Sequence, residues 1–132
     1  MEKIQFDSGI RAYKFGGGVL RFNPCDPNLY GRFLEAGEKI GQIHKTLANE
    51  SQSPVQLLQS ADREMKKLLS WVFGKDNDFD DLLQGVNLLA VGNNGQRVVT
   101  NLFAALEPVL VEGAKTCAQE QVEAAKRRRA AQ

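Results

Sequence analysis

Three groups of residues have types that invite a chemical reading. His44 is the single histidine in the chain, and no second ligand stands near it at metal-binding spacing. A zinc site needs three or four ligands, so His44 reads as a polar position beside an apolar helix seam. Asp76, Asp78, Asp80 and Asp81 look like a cation loop. An EF-hand, however, requires a glycine at its sixth position and a glutamate at its twelfth, and this spacing has neither. Acids opening a helix explain the cluster better, because they meet the positive end of the helix dipole. Gly16-Gly17-Gly18 could cradle a phosphate, but a phosphate loop runs from a strand into a helix. Here Val19-Leu20-Arg21-Phe22 follows, which reads as a second strand, so the glycines make a turn. The sequence contains no CxxC, HExxH or GxSxG, and the reading is of no catalytic, cofactor-binding or metal site.

The elements around these residues read as mainly helical. Residues 3–22 predict two or three short strands: Lys3 to Phe6, Arg11 to Phe15 and Val19 to Phe22. Asp7-Ser8-Gly9 can turn the chain between the first two, and the glycine triplet between the last two. Asp26 is placed to cap a helix that Pro27 opens. Leu29, Phe33, Ala36, Ile40, Ile43 and Leu47 then recur in steps of four and three, a heptad seam. Asn49 to Ser53 breaks it, and Ser53-Pro54-Val55-Gln56 matches a capping box. A second seam runs through Leu58, Ala61, Met65, Leu68 and Val72, widened by Leu57, Leu69 and Phe73 and stopped at Gly74. Two seams joined by a short polar loop predict an antiparallel helical hairpin.

Beyond it, Asp76 to Gln84 predicts a short helix, and Val86 to Val91 another helical turn or two. Gly92-Asn93-Asn94-Gly95 breaks the chain. The last helix should run from about Gln96 to about Arg128, with Val98, Val99, Leu102, Phe103, Leu106, Val109 and Leu110 on one arc. Pro108 predicts a kink there, or a break into two helices. The expected fold is therefore α+β in a single domain, 1–132. A hairpin region spans 3–22 and a helical region 27–129, with a polar, basic tail from about 113.

Seventeen basic and sixteen acidic side chains leave a net charge of +1, too little excess for a dedicated nucleic-acid binder. Lys126 to Arg129 carries no interleaved aromatic residue to stack bases, so it reads as a solvated end. No apolar run approaches the ~20 residues needed to cross a bilayer, and MEKIQFDSG lacks a signal peptide's apolar core. A cytosolic protein is expected, in which Cys25 and Cys117 read as two reduced thiols in preference to a disulfide between them.

What remains is apolar supply. Trp71 and Phe73 end one helix; Leu102, Phe103 and Leu106 lie on another. Most should form the core, and an edge left over would take a partner helix, which makes these five the candidate partner-binding residues. Gly37 and Gly41 stand one turn apart on the first helix, each costing ~1 kcal/mol relative to alanine. That cost hints at close approach by another backbone.

In its order of segments the chain resembles the small tail assembly chaperones of long-tailed phages and prophages of Gram-positive, Clostridia-like bacteria. The likeness lies in the hairpin running into Val19-Leu20-Arg21-Phe22-Asn23-Pro24-Cys25-Asp26-Pro27 and then a helix with Tyr30 and Phe33. It continues in Asp62-Arg63-Glu64-Met65 leading to Trp71-Val72-Phe73-Gly74, and in Gly85-Val86-Asn87-Leu88-Leu89-Ala90 before Val98 to Leu106. Together these cover most of residues 3–110. The chain departs from the family at Leu88 and Leu89, where an aromatic is usual, at Leu83-Gln84-Gly85, where a Phe-Gly-like turn is usual, and in its Ala-rich, basic ending after Gly113.

The resemblance implies a non-enzymatic role in the host cytoplasm. Such a protein coats the apolar tape measure protein, keeps it soluble until tail tube protein polymerises around it, and self-associates. The alternative is a structural virion component, a head–tail connector or tail terminator. A regulator using the basic end on nucleic acid, and an enzyme, are the remaining classes.

Overall fold

A computed structural model describes residues 1–48 and 54–131. Strand β1 (Arg11–Phe15) pairs antiparallel with β2 (Gly18–Phe22). The helices are α1 (Pro27–Ala48), α2 (Val55–Phe73), the short α3 (Phe79–Leu82) and α4 (Val98–Ala130). This is the expected class: a two-stranded N-terminal hairpin, a helical hairpin of α1 and α2, and a long C-terminal helix.

The hairpin turn is tighter than the glycine triplet suggested. Gly18 already belongs to β2, opposite Phe15, so two residues make the turn. Gly16 sits at φ 51°, and a side chain on it would strike the carbonyl of Leu82. The Gly17 amide donates to that same carbonyl at 3.0 Å, which ties the turn to the end of α3. Glycine is required here by both the dihedral and the close approach.

Lys3 to Phe6 forms no strand. Asp7 does start a turn, its carboxylate accepting from the Gly9 amide at 2.8 Å, but the residues before it pair with nothing among the described residues. Alternation marks a segment able to pair; it does not supply a partner.

The seams do form the core. Leu29, Phe33, Ala36 and Ile40 of α1 and Ala61, Met65, Leu69, Val72 and Phe73 of α2 are buried. Leu20 and Phe22 from β2, Phe79 and Leu82 from α3, and Val99, Leu102, Leu106 and Leu110 from α4 join the same cluster. A chain of rings crosses it: Tyr13 on Phe22, Phe22 on Phe73, Phe73 on Phe79 and Phe79 on Phe15, with centroids 4.9 to 5.9 Å apart. Asp26 caps α1 as expected, its carboxylate accepting from the Asn28 amide at 2.9 Å. The Arg32 guanidinium of α1 donates to the Val72 carbonyl at 3.0 and 3.2 Å, serving an end of α2 that lacks a backbone donor. The Asn49 to Ser53 break and the Ser53 end of the capping box lie outside the described residues.

Three expectations about the second half are corrected. The short helix is one turn, Phe79–Leu82, instead of Asp76 to Gln84. Val86 to Val91 is not helical. Asn87 binds the Leu89 amide and the Leu58 carbonyl, and Asp62 takes the Leu88 amide at 2.7 Å. The Leu88 and Ala90 carbonyls accept from the Val99 and Val98 amides, so this segment caps α4 where Arg97 offers no side-chain cap. Finally, of the kink or break expected at Pro108 the break is absent, since α4 runs unbroken through it. Both Pro108 and Ala104, whose carbonyl loses its donor, are exposed, so water can serve that carbonyl. Beyond Gly113 no described residue of α4 is buried.

Candidate functional site

Lys66, buried on α2, organises the floor of a groove beside Trp71. Its ammonium donates to Asp80 at 2.6 Å and lies 2.9 Å from Asp62. Burial lowers its pKa; the hydrogen bonds and charges of Asp80 and Asp62 raise it by more, and the net shift is upward from 10.5. Asp62 also accepts from the Leu88 amide, so the triad ties α2 to α3 and to the segment that caps α4. Asp78 caps α3, accepting from the Asp80 and Asp81 amides. The acidic run thus opens a helix and pairs a lysine.

Above this floor, α2 carries Arg63 and Lys67, and then Ser70 and Trp71 three and four residues beyond Lys67, so they share a face. Trp71 is 44% exposed. With Gly74, Lys75 and the wall of Phe79 it lines an open groove of about 750 Å³. Lys39 of α1 stands 5.5 Å from the centre of the indole ring, a cation–π contact that steadies Trp71. Arg63 donates only to the Ser60 hydroxyl, and Lys67 and Lys75 have no ion-pair partner among the described residues. The groove therefore offers an indole face with Arg63, Lys67 and Lys75 on its rim and the carboxylates of Asp78 and Asp80 on the α3 side.

A second groove lies between α1 and α4, lined by Gly37, Ile40, Gly41, His44, Phe103 and Ala104 among others. Phe103 is half-buried and stacks on Phe33 with centroids 5.0 Å apart. Gly37 admits the edge of Phe103, while a side chain on Gly41 would meet nothing within 4 Å. Neither glycine meets another backbone among the described residues. The close approach occurs instead at Gly113, against the Pro24 carbonyl.

Of the five residues expected to bind a partner, the structure brings Phe73, Leu102 and Leu106 into the core, at 5%, 6% and 5% exposure. They offer no surface in this conformation. Trp71 and Phe103 reach solvent in two different grooves. The helical period carried this distinction: Trp71 lies four residues after Lys67, on the polar side, and Phe73 four after Leu69, on the apolar side. The cations Arg63, Lys67 and Lys75 were not singled out by sequence, since lone basic residues on a helix look like any solvated face.

Among the described residues no three His, Cys, Asp or Glu side chains are grouped to hold a metal, and no helix is long and apolar enough to cross a membrane. Cys25 and Cys117 are unbridged and half-buried. No family model matches the chain, and no solved structure matches it.

Proposed function

We propose that this chain is a non-catalytic, phage tail assembly chaperone-like protein, acting in the cytoplasm of its bacterial host. It holds the tape measure protein soluble until tail tube protein replaces it. The observation that carries the reading is the Trp71 groove, an apolar face with Arg63, Lys67 and Lys75 along its α2 side and Asp78 and Asp80 confined to its α3 side. An amphipathic helix with acids flanking its apolar stripe is complementary to it: the stripe covers the indole and the acids meet the cations. Exposed pairs of this kind are individually weak, ~0.2–1 kcal/mol. Weak contacts repeated over many copies hold a long helix and still yield to a polymerising tube. The order of segments, from the N-terminal hairpin through the helical hairpin to the 98–106 helix, supports the same reading.

The test is co-expression with the long helical protein encoded alongside, followed by solubility and capture. The long protein should be soluble only with this chain and should co-purify with it. Trp71→Ala and Lys67→Glu should each lower the captured amount several-fold. Val86→Ala should not, because Val86 is exposed to the same 44% and lines no part of the groove. Indifference of the long protein to this chain would end the chaperone reading. Recovery of the chain in purified particles would replace it with that of a structural virion component.

A further inference from the structure

The N-terminal sheet has only two strands, and its two outer edges are treated differently. In the β1–β2 register, Phe15 faces Gly18 across the turn, so the pairs Tyr13–Leu20 and Arg11–Phe22 exchange the ladder hydrogen bonds. The backbone groups of Ala12 and Lys14 on β1, and of Val19 and Arg21 on β2, therefore point outward. On the β2 side the edge is closed at Arg21, while the outward groups of Val19 have no partner among the described residues. Asn77 accepts from the Arg21 amide at 3.0 Å and donates to the Arg21 carbonyl at 2.9 Å, as a third strand would. On the β1 side nothing closes it: the amides and carbonyls of Ala12 and Lys14 have no partner among the described residues.

The same chain carries a segment with the opposite deficiency. Residues 1–7 have strand alternation and no strand partner, and Ile4 and Phe6 stand 89% and 81% exposed on one side of the alternation. They cannot easily fold back onto their own β1. The base of the arm is held on the β2 side, where the Asn23 side chain donates to the Ser8 carbonyl at 2.9 Å.

We propose that residues 1–7 of one copy add as a third strand to the open β1 edge of a second copy. The pairing is β-augmentation between identical chains. Ladder bonds to Ala12 and Lys14 supply the alignment. Ile4 and Phe6 fall on the inner face of the sheet, against Tyr13 and Phe15, which the present fold leaves only half-buried. An arm of seven residues matches the five of β1 with room to turn. Each copy has one arm and one edge, so exchange either closes on itself or propagates. This association needs no tape measure protein, and it stands or falls independently of the chaperone reading.

The test is the mass of the full chain in solution by light scattering and sedimentation. The wild-type chain should exceed its single-copy 14.6 kDa and grow with concentration. Phe6→Asp should reduce it to one copy by spoiling the arm. Lys14→Pro should do the same by removing an outward amide that the β1–β2 ladder does not use. Ala12→Pro serves if Lys14→Pro unfolds, as judged by circular dichroism. Mixing the arm variant with the edge variant should restore a species of two copies, because one intact arm and one intact edge remain between them. A monomeric wild-type chain, association that survives both variants, or a mixture that stays monomeric would each overturn the proposal.

Discussion

Asn77 ties the β2 edge of the hairpin to the end of α2. Its buried amide binds both backbone groups of Arg21 and the Phe73 carbonyl, while the Ser70 hydroxyl binds its own carbonyl. Asn77→Ala would orphan the Arg21 groups and the end of α2 together. Unmade buried hydrogen bonds cost ~1–3 kcal/mol, so urea denaturation should show a loss of about that size. Lys66 predicts a pH dependence. Its folded pKa lies above the unfolded value near 10.5, so the folded state binds its proton more tightly. The stability it contributes is complete below that pH and disappears as pH rises through the elevated folded value. Denaturation midpoints should therefore fall more steeply above pH 10.5 in the wild type than in Lys66→Met.

At the level of elements, two glycines in helices should respond oppositely to alanine. Propensity alone favours alanine by ~1 kcal/mol at either site. Gly41 faces open space, so Gly41→Ala should stabilise by up to that amount. Gly113 lies against the Pro24 carbonyl, so Gly113→Ala must move α4 or the loop before α1. Overpacking of this kind costs ~1–3 kcal/mol and outweighs propensity. Thermal melting of the two variants should shift in opposite directions. The same contrast shows how much sequence reveals. Seam spacing located α1, α2 and α4 because burial of an apolar stripe is a local, periodic demand. The segments around Asn77 and Asn87 were not legible, because their shape is set by hydrogen bonds to residues far along the chain, Arg21, Leu58 and Asp62 among them. Trp71 was found as an aromatic, but its cationic surround is assembled from α1, α2 and the turn after α2, and no single stretch displays it.

For the molecule as a whole, the near-zero net charge conceals an uneven surface. Acids are drawn into service at the start of α3 and beside Lys66, which leaves Arg63, Lys67 and Lys75 without ion-pair partners among the described residues along the α2 side of the groove. Residual field at that groove is what would orient an acidic helix on approach, and raised salt should slow its capture more than its release. The division between a packed body and a bare helical end also falls at a definite residue, Gly113.

That bare end changes how the molecule moves through water. A 33-residue helix is ~50 Å long, whereas a compact domain of this size has a radius of gyration near ~14 Å. Roughly half of that length continues past the last buried residue, so the particle tumbles as a ball with a handle. Its friction exceeds that of a sphere of equal mass, so a single copy will diffuse slowly enough to mimic a larger particle while sedimenting slowly enough to mimic a smaller one.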